Sequence, residues 1–251
     1  MAGELWAEEG GSGGPTLILL HGLGCNADVW EGMKPLVRKE WPGRWIIPDL
    51  RGHGRSAHRG PYGYAGHAAD VAGLLVQHED VIAVGHSMGG IVGIALATGW
   101  FGVSVRRAIA FGVKIRWTPE EVAKLHALAK SQVRWFDTEA DAVDRYLKVS
   151  GLIGLIDPQG PAAKSGIRQE GSRFRLASDP GINGAAGPEV APFVAAAQAP
   201  LRFAAGSKDP MCALADMQPF DSKPHIFEGA GHNVHVERPG ELWNLIHNTI
   251  A

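Results

Sequence analysis

The stretch Val81-Ile82-Ala83-Val84-Gly85-His86-Ser87-Met88-Gly89-Gly90 constrains this chain more than any other. An apolar, β-branched run without a charge is the pattern of a strand buried on both faces. It stops on Gly85-His86-Ser87-Met88-Gly89, and Ile91-Val92-Gly93-Ile94-Ala95-Leu96-Ala97 then reads as a helix packed on the sheet. Glycines two positions before and two after a serine let the chain turn so sharply that the Ser87 hydroxyl is lifted clear of the backbone. The following helix points its free N–H groups and the positive end of its dipole at whatever that serine attacks. Ser87 is thus a candidate nucleophile, if the rest of the chain supplies its partners.

A serine hydroxyl needs a base to take its proton, and the base needs an acid to hold its tautomer. Glu228-Gly229-Ala230-Gly231-His232 follows the last strand signal, and glycines beside a histidine mark a loop free to approach the serine. His232 is the expected base. Leu201-Arg202-Phe203-Ala204-Ala205-Gly206-Ser207-Lys208-Asp209 reads as strand, glycine turn and acid, so Asp209 is the expected orienting carboxylate. His235 is expected to pack and hydrogen-bond at the start of the terminal helix. A tetrahedral intermediate needs two preorganised donors, each worth roughly 3–4 kcal/mol in kcat. The backbone N–H groups of Met88 and of Leu23, in His21-Gly22-Leu23-Gly24, are the candidates. His21 and His53 read as structural histidines of glycine-rich loops, and Asp49-Leu50-Arg51-Gly52 as a loop brace.

Strand and helix signals alternate along the chain. Strands are expected at Glu4–Glu8 (weak), Thr16–Leu20, Trp45–Asp49, Val105–Phe111, Leu201–Ala205 and His225–Phe227, with helices at Val29–Val37 and Tyr64–Val76. Such alternation gives an α/β, doubly wound, mostly parallel sheet. The segment from about Val113 to Gln198 breaks it. Thr118-Pro119-Glu120-Glu121 is a capping box opening a helix to about Ser131, and Thr138-Glu139 opens another toward Val149. Glycines and prolines punctuate the remainder, in which no strong strand is expected. Residues 1–112 and 199–251 are therefore assigned to the core, and 113–198 to a helical cap inserted over the sheet edge.

With these parts in place the sequence resembles the α/β-hydrolase superfamily over Thr16 to Ile250. The resemblance rests on His21-Gly22-Leu23-Gly24, Asp49-Leu50-Arg51-Gly52-His53-Gly54-Arg55-Ser56, Gly85-His86-Ser87-Met88-Gly89, Gly206-Ser207-Lys208-Asp209 and Gly231-His232. It implies an α/β-hydrolase fold, the chain order Ser87, Asp209, His232 for the triad, and a helical cap. The short run before Thr16 departs from the family's usual leading hairpin. Serine at the elbow argues against haloalkane dehalogenases and epoxide hydrolases, which resemble this sequence but use aspartate there. Cys25-Asn26-Ala27 does not match the Gly-Pro-Gly continuation of many C–C hydrolases, and His-Gly-x-Gly differs from the His-Gly-Gly-Gly of hormone-sensitive-lipase-like esterases. The expected reaction is hydrolysis of a small carboxylic ester or lactone through an acyl-enzyme on Ser87. C–C hydrolysis, perhydrolysis or acyl transfer on the same residues is the alternative, as is a ligand-binding receptor with slow turnover.

Other classes fit less well. Gly22-Leu23-Gly24-Cys25-Asn26-Ala27 matches a dinucleotide fingerprint with Asp49 downstream, but that reading leaves Ser87, Asp209 and His232 as coincidences. The 11 histidines lack the H-E-x-x-H spacing, so no metal and no cofactor is expected. A net charge of −2 gives no reason to expect nucleic acid or a membrane as partner. Two cysteines fit a reducing compartment, and no signal peptide or membrane span is visible, so a cytoplasmic location is expected. Trp117, Trp135 and Phe136 are the candidate substrate contacts, with Leu152, Ile153 and Leu155 as further candidates for an apolar acyl pocket. Lys114, Arg116, Arg168, Arg173 and Arg175 raise a carboxylate-bearing substrate as a minor alternative, but the acids of the insertion nearly balance its charge, and oligomeric state is not legible.

Overall fold

The computed structural model describes residues 5–75, 80–187 and 190–250. The elements in chain order are β1 (Ala7–Gly10), β2 (Thr16–Leu20), α1 (Lys34–Glu40), β3 (Trp45–Pro48), α2 (Tyr64–Ala72), β4 (Asp80–His86), α3 (Met88–Leu96) and β5 (Ser104–Phe111). Next come α4 (Pro119–Ala129), α5 (Glu139–Val149), α6 (Pro161–Lys164), β6 (Ile167–Glu170), β7 (Arg173–Leu176) and α7 (Ala191–Ala196). The chain closes with β8 (Leu201–Gly206), α8 (Leu214–Met217), β9 (His225–Phe227), α9 (Val234–Glu237) and α10 (Pro239–Ile250).

Seven strands form one sheet in the order β1-β3-β2-β4-β5-β8-β9. β1 runs antiparallel to β3 at the edge, and every other neighbouring pair is parallel. The two-residue period of β2 explains why both faces must be covered. Leu17 and Leu19 pack with Trp30, Val37 and Trp243 on one side, while Ile18 and Leu20 pack with Val92, Ile94 and Ala95 on the other. All four leucine and isoleucine side chains of β2 are fully buried, each worth roughly 1.5–3 kcal/mol of transfer free energy. β4 divides likewise, Ile82 and Val84 on the first side and Val81 and Ala83 on the second.

This topology sets the site. Leu20 pairs with Gly85, so the loop after β2 and the turn after β4 leave the sheet side by side. Gly206 pairs with Phe227, which brings the loops after β8 and β9 to the same carboxyl edge, the edge at which open α/β sheets bind ligands.

Several boundaries differ from the sequence expectation. The run Val29–Val37 is not one helix: a 3-10 turn, Ala27–Trp30, is capped by the Asn26 side chain, and α1 begins anew with Pro35 in its first turn. The weak first strand lies at Ala7–Gly10, with Glu4 outside the described residues, and α2 ends at Ala72, with Val76 likewise outside. The insertion does contain strands. β6 and β7 form an antiparallel hairpin, Ile167 opposite Leu176, turned at Gly171-Ser172 with Gly171 at φ 62°. Arg168, Glu170, Arg173 and Arg175, interleaved with Ile167, Phe174 and Leu176, hide the strand pattern behind charge. Among the described residues, no helix is long and apolar enough to cross a membrane.

Candidate active site

Ser87 joins β4 to α3 at φ 51° and ψ −117°, the one non-glycine with positive φ among the described residues. A serine held there stores backbone strain that the surrounding packing must impose. The two glycines of the motif are required by close approach rather than by their own dihedrals. A Cβ on Gly85 would sit 2.2 Å from the Gly89 carbonyl oxygen, and one on Gly89 would sit 2.3 Å from that of Leu20. The Ser87 N–H donates to Phe111 O at 2.8 Å, tying the turn to the end of β5.

The loops after β8 and β9 bring Asp209 and His232 together. His232 Nδ1 lies 2.8 Å from Asp209 Oδ2, and Asp209 Oδ1 accepts the Met211 N–H at 2.8 Å. The Asp209 carboxylate is fully buried. Burial raises its pKa, but the hydrogen bond and charge of His232, the Met211 N–H and the Cys212 thiol together hold it below the usual carboxylate range. Burial and then the Asp209 charge push the Cys212 thiol up.

Ser87 and His232 line a single cavity of about 340 Å³. Leu23 and Met88 line it too, and their N–H groups donate to no other described residue. The Leu23 loop is held from both sides by histidines. His21 Nε2 accepts the Leu50 N–H at 2.9 Å, and His53 Nε2 accepts the Gly24 N–H at 3.1 Å. Asp49 is fully buried and accepts the N–H groups of Ala27 and Arg55 as well as the Arg55 guanidinium, each within 2.7 Å. It braces this loop, with no carboxylate oxygen left for a ribose.

His86 is buried beside His232, with ring centroids 4.6 Å apart, and its Nε2–H donates to the His232 carbonyl at 3.0 Å. Burial, followed by the charges of His232 and His235, drives the His86 pKa well below the usual histidine value. His235 packs between Trp30 and His86 as expected, but neither of its ring nitrogens finds a hydrogen-bond partner. The expected hydrogen bond is therefore absent, because the pocket around the ring is aromatic.

Of the candidate substrate contacts, Trp117 lines the Ser87 cavity. Trp135 and Phe136 do not. Trp135 lies under the Arg173 guanidinium at 4.8 Å, and Phe136, 8% exposed and bridged through its backbone to Phe174, lines a second cavity instead. Leu152 is fully buried in the core, while Ile153 and Leu155 are exposed. The wall instead includes Cys25, Lys148, Val149 and Met211, which sequence reasoning missed. α5 is visibly amphipathic, burying Ala142, Val143, Tyr146 and Leu147; nothing in that periodicity says that its last turn borders a cavity.

A model of the alpha/beta hydrolase family matches residues 17–245. The chain belongs to that family. A pimeloyl-acyl-carrier-protein methyl ester esterase of Vibrio vulnificus is 30% identical over 146 residues, covering 55% of this chain and 54% of that protein. An acetyltransferase component of an acetoin-cleaving system from Pseudomonas putida is 37% identical over 95 residues, covering 37% of this chain and 25% of that protein. The chain thus spans a quarter to about half the length of these curated relatives. Among solved structures, E-2-(acetamidomethylene)succinate hydrolase aligns with a TM-score of 0.80 at 22% identity, covering 98% of this chain and 94% of that one. An enol-lactonase from Burkholderia xenovorans aligns with a TM-score of 0.70 at 19% identity, covering 99% and 96%. At these identities the two structures speak to the fold.

Proposed function

We propose that this protein is a serine hydrolase that cleaves a small carboxylic ester or lactone through an acyl-enzyme on Ser87. The observation that carries the reading is the 2.8 Å contact between His232 Nδ1 and Asp209, in a loop pair that puts His232 in the same cavity as the strained Ser87. Asp209 accepts from Nδ1–H, which leaves Nε2 of His232 free of a proton and able to take the one from Ser87. Ser87 Oγ attacks the carbonyl carbon, and the developing oxyanion is met by the N–H groups of Leu23 and Met88. His232 then gives its proton to the departing alcohol. Water, deprotonated by the same histidine, attacks the acyl group and releases the acid, restoring Ser87.

The segment 113–198 acts in this reading as a cap. Lys114, Trp117, Val149 and Ala186 all come from it and wall the cavity, excluding water from the acyl group. The esterase relative fits this class of substrate. The test is steady-state turnover of p-nitrophenyl acetate and of a small lactone panel by wild type and His232→Ala. Continuous release by wild type, reduced at least about a thousandfold in the variant, supports the reading. Binding without release would make the protein a receptor.

A further inference from the structure

The Ser87 cavity carries fixed charge of one sign. Among its described lining residues the side chains with a full charge at neutral pH are Lys114 and Lys148, and no aspartate or glutamate lines it. Lys114 follows β5, pairs with Glu121 of α4, and holds its ammonium 4.8 Å from the Trp117 ring centroid. Lys148 stands in the last turn of α5 and has no ion-pair partner among the described residues, Asp144 one turn earlier included.

A second cavity of about 400 Å³ adjoins the first, with Leu23 and Val149 lining both. Arg134 and Arg145 line this second chamber. Arg134 lies over the Phe136 ring at 5.0 Å, whereas Arg145 has no ion-pair partner among the described residues. The acid there, Asp179, is already engaged by the Tyr62 hydroxyl at 2.7 Å and the Gly181 N–H at 2.8 Å. α5 thus supplies an unpaired cation to each chamber, with Val149 in the wall between them.

A basic residue in the last turn of a helix is favoured by the dipole alone. That accounts for Lys148, and the Glu121 pair accounts for Lys114, but neither explains an acid-free lining. Lys148 is solvent-exposed, so its pull on an anion is long-range and screened by salt. We propose that this site takes esters or lactones bearing a carboxylate. Lys148 holds the anion of short substrates, and Arg145 that of substrates long enough to pass Val149. The proposal rests on Ser87 being the nucleophile.

The experiment compares kcat/KM for methyl hydrogen esters of straight-chain dicarboxylic acids with methyl esters of monocarboxylic acids of equal length. O-acetyl hydroxy acids against alkyl acetates place the charge on the alcohol side instead. Wild type, Lys148→Met and Lys148→Glu are measured at low and high salt, with fluorophosphonate labelling of each protein in parallel. The expected result is a preference of about tenfold or more for the charged member of one pair, shrinking as salt rises. That ratio should fall at least about fivefold in Lys148→Met, further in Lys148→Glu, and chiefly through KM. Equal or better turnover of the neutral esters by labelled wild type overturns the proposal, as does an unchanged ratio in labelled Lys148→Glu. An unlabelled, inactive wild type overturns the nucleophile reading and this one with it.

Discussion

His232 Nδ1 and Asp209 Oδ2 lie 2.8 Å apart although the residues are 23 positions apart in the chain. They meet because β8 and β9 are parallel neighbours whose following loops leave the same sheet edge. The geometry fixes the imidazole tautomer: a carboxylate accepts only, so Nδ1 carries the proton and Nε2 presents its lone pair.

Asp209→Asn should keep the fold and reverse that tautomer, since an amide can donate to Nδ1. The expected effect on ester hydrolysis is a fall in kcat of about 10³–10⁴-fold with KM little changed. Steady-state kinetics beside a circular dichroism spectrum checks it. Because the folded carboxyl titrates below its usual range, its contribution to stability is present above the unfolded pKa. It is lost as pH falls through the lowered folded value, so Asp209→Asn should cost stability most at neutral pH, with the gap to wild type closing on the acid side.

Gly89 and Gly93 give a paired test. An alanine Cβ at Gly89 would meet the Leu20 and His21 carbonyl oxygens at 2.3 and 2.6 Å, backbone atoms of a central strand end that cannot move aside. Gly89→Ala should cost about 3 kcal/mol or more, or fail to fold. At Gly93, one helical turn on, the nearest contact is an ordinary 3.5 Å to the Ala83 side chain. Gly93→Ala should be neutral or stabilising by up to about 1 kcal/mol through helix propensity. Urea midpoints of the two variants decide the matter, and similar values for both would count against the packing described.

Buried neutral histidines should make the protein acid-sensitive. Burial first, then the charges of His232 and His21, hold the His235 pKa down to about 3, and burial with the Arg51 charge holds His67 down to about 4. In the unfolded chain these imidazoles take protons near pH 6.5. Their contribution is therefore complete above about pH 6.5 and is lost as pH falls toward the folded values, by up to about 1.4 kcal/mol per pH unit for each. His235→Phe, in a pocket of Trp30, Phe111 and His86, removes one such group. Unfolding free energies at pH 7 and pH 5 should differ less in the variant than in wild type, and equal slopes would count against a neutral His235.

The sheet and the placement of Ser87, Asp209 and His232 were legible because each depends on local pattern: charge-free runs for β2 and β4, and glycines around those three residues. What the sequence did not show depends on packing between elements. β6 and β7 interleave Arg168, Glu170, Arg173 and Arg175 with Ile167, Phe174 and Leu176, so charge masks the strands. Trp135 and Phe136 are adjacent aromatics on a connecting segment, where no period says which side faces a cavity. His235 looked like a hydrogen-bonding loop histidine, and only its aromatic surroundings show otherwise. Lys148 is one charge among many on an exposed helix, and its meaning comes from the cavity that the fold places beside it.

The most direct test of the account is covalent labelling by a fluorophosphonate probe, with intact mass read on wild type and on Ser87→Ala. The account predicts one adduct on folded wild type and none on the variant, as required of a single activated serine held by the β4–α3 turn. No adduct on folded wild type, or equal labelling of Ser87→Ala, would contradict it.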